Sequence, residues 1–382
     1  MKPTDKLAPN YFATLIAKVH DIQAAGADVI RLDIGSPDLP PPHPIVETLS
    51  RSAERPDAHG YQSHRGTAEL REAWTEMYKR VHGVQIHPDR VLPLLGSKEG
   101  VFHLSQAVLN PGDIVLVPDP GYLTYNQSAN FASAETFPLS LLPKNGYLPD
   151  LNTIPQHIRQ QAKILWLNYP NNPTAAVATL EFFAQAVAYC RQYQILLCHD
   201  AAYTQVTFDN TYAPSVLEVP GAEEVCIEFN TLSKSHNMAG WRLGAALGNP
   251  NALAALLKLK THTDSGHFGP VMEAGVAAML GDQSWLFERN AVYQERRDIV
   301  VTALRSMGLS FDEPKASLYV WCPLPERWES STEFALALLE HAHVSLAPGR
   351  IFGTGGEGFV RISLVQPISR LIEAMERIQH ML

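Results

Sequence analysis

Cysteine is scarce in this chain, with four residues among 382: Cys190, Cys198, Cys226 and Cys322. None forms a Cys-x-x-Cys pair, and each sits in or beside an apolar run. Reduced, buried thiols behave this way, so a disulfide scaffold is excluded and a cytoplasmic location is expected. Charge is low as well, at 18 %, and the positive share is the smaller: 30 Lys and Arg face 39 Asp and Glu, for a formal net charge of −9. With no basic block, nucleic acid and anionic membrane are excluded as main partners. No uninterrupted apolar run reaches the roughly 18 residues of a membrane span. The first 35 residues carry Lys2, Asp5, Lys6, Lys18, Asp21, Asp28, Arg31 and Asp33, so no signal-peptide core is expected there. Metal signatures are missing too. The closest histidine pair, His341-Ala-His343, is spaced i,i+2 and has no H-E-x-x-H or Cys/His cluster beside it, so no metal is expected. There is no G-x-S-x-G nucleophile elbow. Gly353-Thr-Gly355-Gly-Glu-Gly358 satisfies G-x-G-x-x-G only formally. It precedes a strand instead of leading from strand to helix, which rules out a dinucleotide loop.

What the chain does have is core-forming material, 46 % hydrophobic residues over a length that predicts two domains at roughly 150 residues each. Tyr11 to Ile22 shows helical spacing and Val29 to Ile34 reads as a short strand, followed by the rigid Gly35-Ser-Pro-Asp-Leu-Pro-Pro-Pro42 connection. Helices are predicted over Thr67–His82, Lys98–Leu109 and Leu180–Cys190. Strands are predicted over 113–118, 162–168, 194–199 and 224–230. Trp241–Gly248 reads as a further strand that can double back. Near-continuous apolar strands alternating with helices indicate a mostly parallel sheet covered on both faces. A long helical region over 271–307 leads to strand 317–322, a helix near 331–341, strand 359–365 and a C-terminal helix from Ile368. The expected organisation is an α/β protein in three stretches: an N-terminal segment 1–42, a large domain 43–280, and a C-terminal stretch 281–382. The first and last together would build a smaller α+β domain.

Polar residues gather where the central strands end. The segments are Asp119-Pro-Gly-Tyr122, then Asn168-Tyr-Pro-Asn-Asn172-Pro-Thr174, then Asp200-Ala-Ala-Tyr203, then Thr231-Leu-Ser-Lys234-Ser235. In an open parallel sheet, ligands bind in the crevice beyond the carboxyl ends of the strands. Gly96-Ser97-Lys98 opens a helix, a place where exposed N–H groups favour an anion, and Thr231, Ser233 and Arg242 are candidates to surround it. Lys234 directly follows an apolar strand and has no acidic neighbour within three residues. A desolvated lysine amine has a lowered pKa and attacks carbonyls, whereas a solvated one is a surface charge. Asp200 serves either as a helix cap or as the carboxylate that keeps a ring nitrogen protonated. Arg361 lies within an apolar strand, where a planar fork binds a ligand carboxylate or an intramolecular acid.

The series Asn171-Asn-Pro-Thr174, Asp200-x-x-Tyr203, Ser233-Lys234 and Gly240-Trp-Arg242-x-Gly244 resembles the class I, fold-type-I pyridoxal-phosphate aminotransferases. Tyr61, Gly66-Thr-Ala-Glu-Leu-Arg71, Pro118-Asp-Pro-Gly-Tyr122 and Gly358-Phe-Val-Arg361 extend the likeness over nearly the whole chain. The wording of Asp33-Ile-Gly-Ser-Pro-Asp-Leu-Pro40 and Leu95-Gly-Ser-Lys-Glu-Gly100 is most similar to the LL-diaminopimelate and aspartate-type branches. The resemblance implies ping-pong amino transfer between an amino acid and a 2-oxo acid. Lys234 would carry pyridoxal 5′-phosphate as a Schiff base and move the proton, and Asp200 would pair with its ring nitrogen. Tyr203 and Asn172 would bond the ring oxygen, and Tyr122 would stack on the ring. Ser97, Lys98 (by backbone N–H), Thr231, Ser233 and Arg242 would hold the phosphate. Arg361, with Gly35 and Asn172, would clamp the substrate α-carboxylate. Tyr61 would reach the phosphate from a neighbouring subunit, which implies a homodimer. A β-lyase, or a non-catalytic protein on the same scaffold, is the alternative. At the substrate's far end the candidates are Lys98, Ser36 and Asp38. The family's usual glycine after Asn-Pro-Thr is Ala175 here, which predicts an ordinary backbone conformation at that turn. Its usual serine three residues before the lysine is Thr231, which keeps the hydroxyl.

Overall fold

Residues 11–381 are described by a computed structural model; Lys2, Asp5 and Lys6 lie outside them. The apolar runs become strands β1 (Ile30–Arg31), β2 (Val91–Leu94), β3 (Ile114–Asp119), β4 (Glu135–Ser140), β5 (Ala162–Asn168) and β6 (Leu196–Asp200). These are followed by β7 (Cys226–Thr231), β8 (Gly244–Gly248), β9 (Tyr319–Pro323), β10 (Val344–Ser345), β11 (Ala347–Pro348) and β12 (Phe359–Ser363). Seven of them form one sheet in the order β2-β8-β7-β6-β5-β3-β4. Its neighbours pair in parallel from β4 across to β7, and β8 runs antiparallel to both β7 and β2. The protein is thus α/β, with a mostly parallel central sheet flanked by helices.

Both faces of that sheet are buried, which explains why its strands read as continuous apolar runs. In β3, Val115 and Val117 enter one core while Leu116 enters the opposite one. In β5, Ile164 and Trp166 go one way, Leu165 and Leu167 the other. Helix Ala68–His82 covers one face with Leu70, Trp74 and Met77, helix Ser97–Val108 the other with Val101 and Leu104. Each such side chain contributes about 1.5–3 kcal/mol on leaving water. Another core forms around the antiparallel strands β11-β12-β9. Ile30 and Leu32 meet Val320, Ile362, Leu371 and Ile378 there, so distant parts of the chain share one interior.

Several expected boundaries differ. The segment predicted as strand 29–34 pairs as a strand only at Ile30–Arg31, against Val344–Ser345. The helical region 271–307 is two helices, Gly269–Leu280 and Trp285–Ser306. Gly281 ends the first, and the Asp282 carboxylate accepts the Ser284 N–H at 2.9 Å and its hydroxyl at 2.7 Å. β8 begins only at Gly244, after a turn in which Arg242 takes φ 57°, and it does double back on β7. Strands β2 and β4, not read from the pattern, contain Pro93 and Pro138 and are the two edges of the sheet, where a missing N–H is tolerated. Ala175 overturns its expectation. It takes φ 62°, the left-handed region, because the Asn171 side chain accepts the Thr174 N–H at 3.0 Å and the turn closes through Ala175 N–H to Asn171 O at 2.9 Å. No helix among the described residues is long and apolar enough to cross a membrane.

Candidate active site

Parallel pairing aligns the carboxyl ends of β3, β5, β6 and β7, with Asn168 opposite Asp200 and Asp200 opposite Phe229. Beyond those ends lies a cavity of about 520 Å³, lined in part by Gly35, Ser97, Lys98, Tyr122, Asn172, Asp200, Tyr203, Thr231, Ser233, Lys234, Arg242 and Arg361. These are twelve of the thirteen residues given cofactor or α-carboxylate roles above. Tyr61 is the exception: it is 96 % exposed and outside the cavity of its own chain. Ser36 also lines the cavity, but Asp38 does not. Arg296 bonds both Asp38 oxygens at 2.8 and 2.9 Å and the Tyr293 hydroxyl adds a bond at 3.2 Å, so Asp38 serves the fold.

Lys234 sits on the four-residue helix Leu232–Ser235 that closes β7, and its Nζ donates to the Gly35 carbonyl oxygen. Burial pushes the pKa of its ammonium down, and the Arg361 and Arg242 charges push the same way. Asp200, at the end of β6, is buried as well. Its Oδ2 accepts the Tyr125 hydroxyl at 2.9 Å, and its Oδ1 has no hydrogen-bond partner among the described residues. Burial lifts its pKa to about 6, the Tyr125 bond and the neighbouring His199 holding back part of the rise. Tyr125 stacks on Trp166 with centroids 5.0 Å apart and meets Tyr122 edge-on at 5.7 Å.

Behind Asp200, a His199–Glu228 pair ties β6 to β7 at 2.8 Å, both side chains fully buried. Burial opposes ionisation of Glu228, but His199 and the Tyr78 hydroxyl at 2.7 Å outweigh it, and its pKa is lowered.

On the opposite wall Arg361 donates to Asn172 Oδ1 at 2.8 Å and to the Asp33 carbonyl at 2.7 Å. Its guanidinium lies between the rings of Tyr319 (4.1 Å) and Phe352 (4.9 Å). Tyr203 and Tyr319 share a hydrogen bond at 2.9 Å, and burial raises the Tyr203 pKa. Gly35 is a glycine because a Cβ there would sit 2.0 Å from the Tyr319 hydroxyl. Neither Tyr319 nor Tyr125 was legible as a site residue, since each acts on a partner far along the chain.

The third wall is a cup. Helix Ser97–Val108 opens after Gly96, whose φ is +83° and whose Cβ would lie 2.3 Å from Arg242 Nη2. Thr231 and Ser233 hydroxyls are 2.9 Å apart, and Arg242 Nη1 reaches Ser233 Oγ at 3.4 Å. Among the described residues only uncharged oxygens, including Ala239 O at 2.7 Å and Leu95 O at 3.3 Å, bond the Arg242 guanidinium. Glu99 underpins the cup. Its carboxylate accepts the Leu95 N–H and the fully buried Lys260 ammonium (3.0 Å), which also bonds Asp264 at 2.8 and 2.9 Å. Burial opposes its ionisation, yet His103, Lys260 and that N–H hold its pKa down to about 2. Glu99, His103 and Asp264 have the spacing of a metal site, but the Lys260 ammonium already takes the cation's place.

The family "Aminotransferase class I and II" matches residues 27–378. The chain belongs to that family. It is 45 % identical over 378 residues to the LL-diaminopimelate aminotransferase of Moorella thermoacetica, covering 99 % of this chain and 97 % of that one. Among solved structures it is similar to substrate-bound BacF from Bacillus subtilis, with a TM-score of 0.96, 39 % identity and 99 % and 96 % of the two chains covered. It is also similar to a probable N-succinyldiaminopimelate aminotransferase from Thermus thermophilus, with a TM-score of 0.92, 39 % identity and coverage of 98 % and 100 %. The protein is a pyridoxal-phosphate-dependent aminotransferase.

The residues present fit that cofactor. A buried carboxylate oxygen without a partner, Asp200 Oδ1, costs free energy unless a donor such as a protonated ring nitrogen comes to it. The cup offers a helix N-terminus, two hydroxyls and a guanidinium bonded only by uncharged oxygens, a set suited to a phosphate dianion. The cavity also holds an amine, Lys234, whose neutral form burial favours.

Proposed function

We propose that this aminotransferase exchanges the amino group of LL-diaminopimelate, or of an aspartate- or glutamate-type donor, with 2-oxoglutarate. The observation that carries the reading is the convergence of Lys234, the half-bonded Asp200 carboxylate and Arg361 on one cavity. The name of the 45 %-identical relative favours the diaminopimelate donor. Pyridoxal phosphate, when bound, supplies the electron sink that makes the substrate Cα–H acidic. Asp200 Oδ1 is the atom to hold the proton on its ring nitrogen, and the low dielectric around Asp200 strengthens that bond. Tyr203 and Asn172 would bond the ring oxygen, and Tyr122 would stack on the ring. The neutral Lys234 amine would attach the cofactor and, once freed, would carry the proton from the substrate Cα to the cofactor carbon that bore the carbonyl, on the same face. Arg361, fixed between two aromatic rings, takes the α-carboxylate with its planar fork and turns the Cα–H toward Lys234. Ser97, the Lys98 N–H, Thr231, Ser233 and Arg242 hold the phosphate.

The same reading makes the protein a cytoplasmic homodimer. The nearly complete exposure of Tyr61 suits a side chain that completes the partner's phosphate cup, and four free, buried cysteines suit a reducing compartment. The small domain comprises 1–42 and 281–382, the large one 43–280.

A panel of amino donors added to the loaded enzyme, followed by cofactor absorbance and then 2-oxoglutarate, tests the substrate. LL-diaminopimelate is expected to convert the cofactor to its amine form and 2-oxoglutarate to restore it. A response to aspartate with none to diaminopimelate would refute the donor. Loss of the donor's side chain without the amine form would show elimination instead.

A further inference from the structure

Alternation along β1 and the residues after it puts Ile30 and Leu32 into a core and leaves Arg31 and Asp33 lining the cavity. Arg31 uses one edge of its guanidinium on Asp33, Nε to Oδ1 at 2.7 Å and Nη2 to Oδ2 at 2.6 Å. Asp33 is 1 % exposed in its side chain and Arg31 17 %. The other edge, Nη1 with the second hydrogen of Nη2, makes no bond recorded among the described residues. The same Asp33 accepts Arg361 through its main-chain carbonyl at 2.7 Å. One residue therefore fixes two guanidiniums on one cavity wall, joined through its carbonyl at one and its carboxylate at the other. Among the described residues two acids line the cavity, Asp33 and Asp200, and Asp33 is already covered by Arg31. That wall therefore presents guanidinium donors suited to an anion.

We propose that Arg31, oriented by Asp33, binds the distal carboxylate of dicarboxylic substrates while Arg361 binds the proximal one. This rests on the aminotransferase reading above and deepens it. The acceptor class is 2-oxo dicarboxylic acids, and a diaminopimelate-type donor is gripped by its far carboxylate and not by its far ammonium. A planar fork already held along its Nε edge presents the Nη1/Nη2 edge with little entropy left to lose, which favours two parallel N–H···O bonds. Lys98 is the rival cation on the cavity wall, and its ammonium lies 6.0 Å from the Tyr122 ring centre.

The test compares binding of glutarate, an unreactive dicarboxylate, and valerate, its monocarboxylate counterpart, to the cofactor-loaded enzyme by absorbance shift. It adds the ratio of kcat/KM for 2-oxoglutarate over pyruvate. Arg31→Gln is expected to weaken glutarate about 10- to 100-fold while valerate changes far less, with the kcat/KM ratio falling in step. Arg31→Lys, which keeps a partner for Asp33, is expected to lose part of this. The double variant Arg31→Gln/Asp33→Asn repeats the test if the single variant fails to fold. Equal losses for both ligands, no preference for glutarate in the unaltered enzyme, or an effect carried by Lys98→Gln instead would each overturn the proposal. Glutarate binding needs no turnover. An enzyme that grips glutarate through Arg31 yet moves no amino group would sink the proposed function and leave this inference standing.

Discussion

At the scale of single residues, Asp200 is placed where the fold alone does not favour an acid. Burial lifts its pKa to about 6, above the ordinary aspartate value of about 3.9. Between those two values the folded state binds more protons than the unfolded one, so stability falls as pH rises through the window, and the full penalty is present above it. In cofactor-free protein, Asp200→Asn is therefore predicted to raise stability by about 2 kcal/mol at pH 8, the gain fading toward pH 4, while cofactor affinity drops. Urea unfolding at both pH values measures this, and a variant less stable than the parent at pH 8 would contradict it. Asp200 and Lys234 were legible because each follows an apolar strand directly. Tyr319 was not, since its role depends on a bond to Tyr203 116 residues away and on the Arg361 guanidinium. Ala175 was misread for a similar reason: the Asn171 side chain, not the local residue preference, sets that turn.

At the scale of elements, the cup owes its shape to the anchoring of helix Ser97–Val108. Glu99 in its first turn holds the Leu95 N–H and is in turn held by Lys260 from helix Pro250–Thr263. Lys260→Met leaves two carboxylates, Glu99 and Asp264, without their shared ammonium. The expected cost is about 3 kcal/mol at neutral pH, smaller in acid where the carboxylates protonate, with weaker cofactor retention. Denaturation midpoints at pH 5 and 7.5 check this, and an unchanged midpoint at pH 7.5 would show that the network carries no stability. Sequence spacing located this helix within one residue at each end, because capping and apolar periodicity are local. The edge strands β2 and β4 escaped because proline argues against a strand except at a sheet edge, and edge position is a property of the assembled sheet.

At the scale of the whole molecule, the cavity lies where the large sheet meets the antiparallel strands: Asp200 ends β6 and Lys234 follows β7, while Arg361 and Tyr319 come from β12 and β9. The alternation of strands and helices made the larger sheet readable, whereas the pairing of β1 with β10 joins residues too far apart for any local pattern to show. A dimer in which Tyr61 serves the partner predicts that mixing Lys234→Ala with Tyr61→Ala subunits restores activity that neither variant has alone, since one site per hybrid is then intact. Activity no higher than the sum of the separate variants would remove Tyr61 from the site. Whether amino transfer is run from the buried amine that follows β7 is decided by borohydride reduction of the cofactor-loaded protein and peptide mapping. A single pyridoxyl label on Lys234, absent from Lys234→Ala, is expected. A label on Lys98 or any other lysine, or no label at all, would contradict it.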